Sequence, residues 1–240
     1  MKKYFEYIFN SEIKKKLSDY YENLSLDQHN KNHLNKADIK LKRILNLLSF
    51  STQDKVLDVG CSRGYILKTI APLINKGKGV DISKAIIQLN NKNNHLANIS
   101  FDVFDGKILT LSEKYNKVLL IDVLEHAFYP DELIITIKNA MVSNGLCVIG
   151  VPFSGFLSEL IFGKYHQGHL RYYDPDYLSN YIEKFGFEII KIKIHNSVPW
   201  SSQLIKVPFL HNLLDFLVNL IPSKIYPYFG EILVLAKNEE

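Results

Sequence analysis

The run VLDVGCSRG at residues 56–64 constrains the fold more than any other stretch of the chain. Five residues of strand character, 55–59, lead into Gly60, Cys61, Ser62, Arg63 and Gly64, and a helical apolar pattern starts at Tyr65. A strand, a tight turn and a helix in this order need glycine where the backbone reverses or admits a ligand closely. Asp58 falls at the end of the strand. Such turns serve dinucleotides, phosphates and adenosyl groups alike. The dinucleotide fingerprint GxGxxG is absent, because Ser62 stands between Gly60 and Gly64, and no GKS or GKT offers a phosphate loop.

Further strands follow in an ordered series. Residues 78–82 (KGVDI) read as a second strand, with Asp81 about twenty residues beyond the turn, where a carboxylate can accept hydrogen bonds from a ribose diol. Residues 99–103 form a third, followed by Asp105 and Gly106; residues 118–122 (VLLID) form a fourth, running into VLEHAFYPDEL; residues 146–151 (LCVIGV) form a fifth. Alternation at 188–194 and the run EILVLA at 231–236 add a sixth and a seventh. Helical patterns fall between them, including one capped by Asp174 and Pro175, with apolar residues Leu178, Tyr181, Ile182 and Phe185 and a stop at Gly186. The expected fold class is α/β, a doubly wound seven-stranded sheet.

The segments LDVGCSRG, GVDIS, FDG, IDVLEHAFYPDELI and NGLCVIGVP together resemble the successive motifs of class I S-adenosylmethionine-dependent methyltransferases. The closest subset is the small-molecule group with a LEH element after the fourth strand, which includes the ubiquinone-pathway O-methyltransferases. The resemblance covers roughly residues 35–196 and departs from the family at Ser62, where glycine is usual. It implies a Rossmann-like methyltransferase sheet with the last strand pair antiparallel, and S-adenosyl-L-methionine as cofactor. It also implies roles for named residues. The backbone at Gly60, Cys61, Ser62 and Gly64 would face the amino-acid portion of the cofactor, with Asp58 near its ammonium. Asp81, with Ile82 beside it, would take the ribose hydroxyls. Asp105 would accept from the adenine amine with Gly106 alongside, and Asp122 would line the same site.

His126 follows the fourth strand and its Leu-Glu turn, a place from which an imidazole can reach a methyl acceptor. With an unperturbed pKa of about 6.5 it is the expected catalytic base, against the alternative of a histidine that only braces its loop. Some quinone-pathway relatives place a divalent metal on residues spaced like Asp122, Glu125 and His126, but the same triplet occurs without metal, and none is expected. His166, His169, Arg171 and Tyr172 form a second cluster beside Tyr173. Substrate contact is its expected role, with packing of the following helix as the alternative. Amine methylation of nucleobases is disfavoured, since no Asn/Asp-Pro-Pro-Tyr/Phe follows the fourth strand. The acceptor expected is therefore an oxygen of a small molecule: a sugar or sugar nucleotide, a quinone precursor or a secondary metabolite.

Composition limits the rivals. A 240-residue chain that is 47% hydrophobic supports one α/β domain with embellishments, which excludes a disordered or fibrous class. The net charge of +4 is spread along the chain, with Lys14–Lys16 the one cluster, so no nucleic-acid partner is expected. An RNA-modifying methyltransferase and a non-catalytic S-adenosylmethionine-binding partner or sensor are the alternative readings. A nicotinamide dehydrogenase is the poorest. Two cysteines, Cys61 and Cys147, and no signal-peptide pattern point to a cytoplasmic protein.

Residues 1–50 are expected to form a helical cap, broken in two at 27–33; residues 51–196 and 231–240 form the core; residues 197–230 form a hydrophobic insertion. Within the insertion, residues 208–221 carry one narrow polar stripe of His211, Asn212, Asp215 and Asn219. At about fourteen residues this helix cannot span a bilayer, which needs about twenty. A lid or homodimer helix packed on the domain is expected, with an interfacial membrane helix or a wall for a greasy substrate as alternatives.

Overall fold

In the computed structural model, residues 31–105, 111, 113–154, 169–197, 213, 216–221 and 229–239 are described. Helix α1 (Lys31–Leu45) precedes β1 (Lys55–Val59), α2 (Tyr65–Ile70), β2 (Lys76–Asp81), α3 (Lys84–Asn93), β3 (Ile99–Val103) and β4 (Tyr115–Ile121). Helix α4 (Pro130–Ala140), β5 (Met141–Ser154), α5 (Pro175–Glu183), β6 (Phe187–Ser197) and β7 (Phe229–Asn238) complete the order. The seven strands pair as β3-β2-β1-β4-β5-β7-β6. Strands β1 to β5 are parallel, and β7 runs antiparallel to both β5 and β6. The expected doubly wound seven-stranded sheet is the observed one.

Side chains alternate across the central strands and are buried on both faces, which is why these strands read as unbroken apolar runs. Leu57, Val118, Leu120, Cys147, Ile149 and Val234 pack with Leu133, Ile137, Leu178 and Ile182 of α4 and α5. Val56, Leu119, Val148 and Leu233 pack on the other face with Leu41 and Ile44 of α1, Leu67 of α2 and Ile86 of α3. Both cysteines are buried free thiols.

Element boundaries differ from the sequence reading where a neighbour dictates them. Helix α2 stops at Ile70 and a single 3-10 turn carries Pro72, since proline lacks the N–H that an α-helix interior uses. Strand β5 reaches Ser154 because β7 pairs with it from Leu146 onward. Helix α1 begins at Lys31, inside the expected break; residues 1–30 lie outside the described residues. In the helical segment at 213 and 216–219 and the turn after it, Leu213, Phe216, Leu217 and Leu220 stay exposed, Phe216 at 62% and Leu220 at 65%.

The parallel order brings the ends of β1, β2 and β4 to one edge, where the turns depend on left-handed backbone. Gly60, Ser62 and Gly64 have φ of 76°, 46° and 69°, and Asp122 has φ 55°. A Cβ on Gly64 would lie 2.5 Å from the Phe101 ring. Gly64→Ala should therefore destabilise the fold by about 1–3 kcal/mol, from backbone strain and overpacking together, read as a lower urea midpoint with an unchanged slope.

Candidate active site

The turn after β1 is held from both sides. The Gly60 and Cys61 N–H groups donate to the Val80 carbonyl at 2.8 and 3.0 Å, and the Gly64 N–H closes the turn on the Cys61 carbonyl. The Asn90 amide of α3 donates to the Ser62 carbonyl at 2.7 Å, and Lys68 donates to both Asn90 and the Arg63 carbonyl. Serine at position 62 thus keeps the turn despite its positive φ.

Asp81 receives the Ser62 N–H at 2.8 Å and the Ser83 N–H at 3.0 Å, one on each carboxylate oxygen. Its place at the end of β2 is fixed by backbone donors on both sides. Ile82, next to it, is 41% exposed. The Phe104 N–H donates to the Asp81 carbonyl, which draws the end of β3, and exposed Asp105 after it, to the same edge. Gly106 lies outside the described residues.

Asp58 is 3% exposed. Burial, reinforced by the charge of Asp81, pushes its carboxyl up to about 7. No ion pair or hydrogen bond reaches that carboxyl among the described residues, so the site contains a buried acid with no cation of its own.

Beyond β4 the chain forms a second positive-φ turn at Asp122, whose N–H donates to the Gly150 carbonyl. Its carboxylate pairs with Lys40 of α1, which also reaches Glu231 of β7 at 3.1 Å, while Arg43 binds Glu231 at 3.0 Å. Burial would lower the Lys40 ammonium, but Asp122 and Glu231 outweigh it and hold it well above the usual lysine range. The cap helix is thereby ion-paired to two strand ends. Neither Lys40, Arg43 nor Glu231 was singled out from the sequence. An acid opening the otherwise apolar run EILVLA was the available signal.

Glu125 and His126 lie in a 3-10 turn, Leu124–His126. Glu125 is 1% exposed, its Oε2 meets no partner, and burial followed by the charge of Asp122 raises its carboxyl well above the usual glutamate range. His126 Nε2 stands 3.6 Å from Glu125 Oε1, close but beyond hydrogen-bond length. The His169 ring meets the His126 ring edge-on, with centroids 4.8 Å apart. Backbone bonds make this meeting possible. The Leu170 and Arg171 N–H groups donate to the Glu125 carbonyl, Arg171 Nη1 donates to the Ala127 carbonyl, and Tyr173 is buried beside Tyr177 and Tyr181.

The structure thus brings His126, His169 and Tyr172 together, the last two with ring centroids 6.0 Å apart. Arg171, expected to contact substrate, has part of its guanidinium on the protein's own backbone. His166 lies outside the described residues. Asp122, Glu125 and His126 do not fit a metal as a set. Asp122 is taken up by Lys40, and the ligand atoms the structure gathers are instead those of Glu125, His126 and His169, all within 4.8 Å of one another.

Comparison with known proteins agrees with the geometry. A family model described as a methyltransferase domain matches residues 15–192. The chain belongs to that methyltransferase family. A ubiquinone biosynthesis O-methyltransferase of Glaesserella parasuis serovar 5 (strain SH0165) is 30% identical over 104 residues. That match covers 40% of this chain and 44% of the relative, so the chain spans less than half the length of the curated relative it matches.

Among solved structures, a chain of the complex between the Haloferax volcanii Trm112 methyltransferase activator and a methyltransferase superposes with TM-score 0.70 at 14% identity, covering 92% of this chain and 98% of that one. An S-adenosylmethionine-dependent methyltransferase of Mesorhizobium loti gives 0.59 at 16%, covering 82% and 96%. The [4+2]-cyclase SpnF gives 0.63 at 15%, covering 84% and 80%. At these identities the likeness is one of fold. The family model gives residues 15–192 a methyltransferase domain, and the solved structures share its Rossmann-like sheet.

The buried acid of this methyltransferase has a measurable signature. Its folded value, about 7, exceeds the ordinary 3.8. The stability that neutral Asp58 confers is therefore complete below about pH 4, is lost progressively as pH rises toward 7, and stays lost above it. A rise of about three pH units corresponds to on the order of 4 kcal/mol. Urea unfolding of the ligand-free protein from pH 4 to 8 should show this slope, and Asp58→Asn should flatten it; identical slopes would refute the assignment.

Proposed function

We propose that the chain transfers a methyl group from S-adenosyl-L-methionine to an oxygen of a small molecule, with His126 as the base. The observation that carries the reading is the placement of His126. The turn that carries it follows β4 and touches the glycine turn of β1 at Val123, three residues before His126, where a Cβ on Gly60 would strike. A base there is beside whatever the turn holds. The O-methyltransferase activity in the name of the Glaesserella parasuis relative supports oxygen as the acceptor. So does the absence of the proline-rich amine motif at residues 122–125.

The residues fit the cofactor on one structural ground above all. Asp58 is a buried carboxyl lacking a cation, and the ammonium of the cofactor's amino-acid portion would supply one. Asp81, fixed by two backbone N–H groups, keeps acceptor capacity on both oxygens for a ribose diol. Ile82 offers an apolar side chain beside it, Asp105 reaches the adenine amine, and Asp122 lines the edge between cofactor and acceptor. When bound, the cofactor supplies an electrophilic methyl group on sulfur.

The chain's own part is positioning and proton removal. Its glycine turn would hold the donor, and His126 takes the hydroxyl proton as the acceptor oxygen becomes nucleophilic. Contact with Glu125 and His169 restricts the partly exposed imidazole to few orientations. His169 and Tyr172 then form the acceptor's wall, with Arg171 bracing it from Ala127.

Calorimetric titration with S-adenosylmethionine and S-adenosylhomocysteine, with NAD as control, tests the cofactor reading. One-site binding of both adenosyl ligands with NAD silent is expected. Asp81→Ala should weaken binding about tenfold or more, the worth of a charge-assisted hydrogen bond. Unchanged affinity would remove Asp81 from the ribose. Below pH 7, binding should release a proton as Asp58 ionises against the ammonium, seen as a heat that varies with buffer.

Turnover with hydroxyl-bearing acceptors, followed by labelled methyl transfer, tests the base. His126→Ala should lower kcat by about a hundredfold with cofactor affinity preserved, and full activity would exclude it from proton transfer.

A further inference from the structure

We propose that Glu125, His126 and His169 form a seat for a zinc-class divalent cation. One ligand atom from each, a carboxylate oxygen and two imidazole nitrogens, lies within 4.8 Å of the other two. Bonds to zinc of about 2.0–2.2 Å place neighbouring ligands roughly 3–3.5 Å apart, so the set closes on a cation by side-chain shifts of about 1 Å. This is not the triplet read in the sequence: His169 enters the set, and Asp122 leaves it for Lys40.

Backbone holds the three together. Glu125 and His126 are consecutive in the 3-10 turn after β4, so two of the ligands leave one short stretch of chain. His169 comes from the segment before α5. Leu170, next to it, donates its N–H to the Glu125 carbonyl at 2.8 Å, and Arg171 adds a second bond at 3.3 Å. Arg171 Nη1, on the Ala127 carbonyl, also ties the two segments. The imidazoles meet edge-on with centroids 4.8 Å apart, and His126 Nε2 stands 3.6 Å from Glu125 Oε1. That separation exceeds a hydrogen bond and is close to the spacing of two ligands on one cation.

Glu125 is the side chain that points to a ligand. It is 1% exposed, and its Oε2 meets no hydrogen-bond partner among the described residues. A buried oxygen in that state is rare in a native protein, and a bound cation satisfies it. The acids nearby are already matched, Asp122 by Lys40 and Glu231 by Lys40 and Arg43. Two imidazoles with one carboxylate suit zinc and its neighbours in the first transition row, whereas magnesium and calcium take oxygen ligands. Three protein ligands leave a fourth position for water or another small ligand. A ring nitrogen bound to the cation has no lone pair for a proton. On the reading of His126 as the base, zinc therefore inhibits methyl transfer.

Titration of the full chain, free of any histidine tag, with zinc and with cobalt tests the seat without a methyl acceptor. Zinc is expected to bind at one site, cobalt to give the visible absorption of a tetrahedral complex, and magnesium to be silent. His169→Ala should weaken zinc binding about a hundredfold or more, beyond the 10–100-fold that an outer-shell partner is worth. Glu125→Gln should weaken it similarly, while Asp122→Asn should leave one-site binding and the cobalt absorption in place. Carbethoxylation mapped by mass spectrometry gives a second readout: zinc should protect His126 and His169, with exposed His95 reacting as before. Absence of one-site zinc binding, or a His169→Ala variant that binds zinc like the parent, would overturn the seat and leave the base assignment standing. Zinc that protects His126 yet leaves methyl transfer at full rate would overturn the inhibition, and His126 as base with it, while the seat stands.

Discussion

Gly60 leaves no room for a side chain: a Cβ there would lie 2.2 Å from Val123 Cγ2. That close approach locks the turn after β1 to the turn after β4, and everything at the edge of the sheet depends on it. The first turn carries the backbone of residues 60–64; the second carries Asp122, Glu125 and His126. Parallel pairing of β1 with β4 brings the two strand ends level, from Val56 opposite Lys117 to Val59 opposite Leu120. The missing methyl group then lets the two turns touch. Left-handed backbone at Gly60, Ser62, Gly64 and Asp122 is the conformational cost of that contact.

Charge organises the same edge. Asp58, Asp81, Asp122, Glu125 and Glu231 lie around it, against Lys40 and Arg43 from the cap helix. The two cations go to Asp122 and Glu231, so Asp58 and Glu125 are left to burial, which drives both toward neutrality. Those two respond differently to a visitor. A cationic ligand near Asp58 restores its ionised form. Glu125, beside His126, is the group best placed to compensate an imidazolium when that ring takes up a proton. The helix that supplies Lys40 also joins α2 through the hydrogen bond that the Tyr65 hydroxyl donates to Asp38, so cap and sheet edge form one electrostatic unit.

How much of this was legible follows from the range of each interaction. Local signals carried far: Lys55–Val59 and Ile99–Val103 are strands with the boundaries read from the sequence, because each is bounded by turn residues, the first an apolar run buried on both faces and the second an alternating one. The glycine turn and Asp81 were legible because spacing along the chain alone sets them. Non-local chemistry was not. Lys40 meets Asp122 across 82 positions and Arg43 meets Glu231 across 188, and no pattern near any of the four announces the pairing. His169 was read as a substrate contact, but its edge-on approach to His126 depends on backbone donation from Leu170 and Arg171 to Glu125, which no side-chain motif encodes.

The insertion shows the same limit in reverse. Its apolar stripe was plain in the sequence, and amphipathicity alone argues that such a stripe packs inward. What decides the matter is Asn196, a single buried amide that satisfies the helix's terminal carbonyls and exchanges bonds with Asn219 on its polar side, four hydrogen bonds in all. Hydrophobic burial is non-directional, whereas these four hydrogen bonds are not. Where a directional cap and a non-directional stripe disagree, the cap sets the orientation and leaves Phe216 and Leu220 exposed. The sheet edge follows the same rule: Asp58 and Glu125 are held by strand and turn backbone in buried positions that their own solvation would not select.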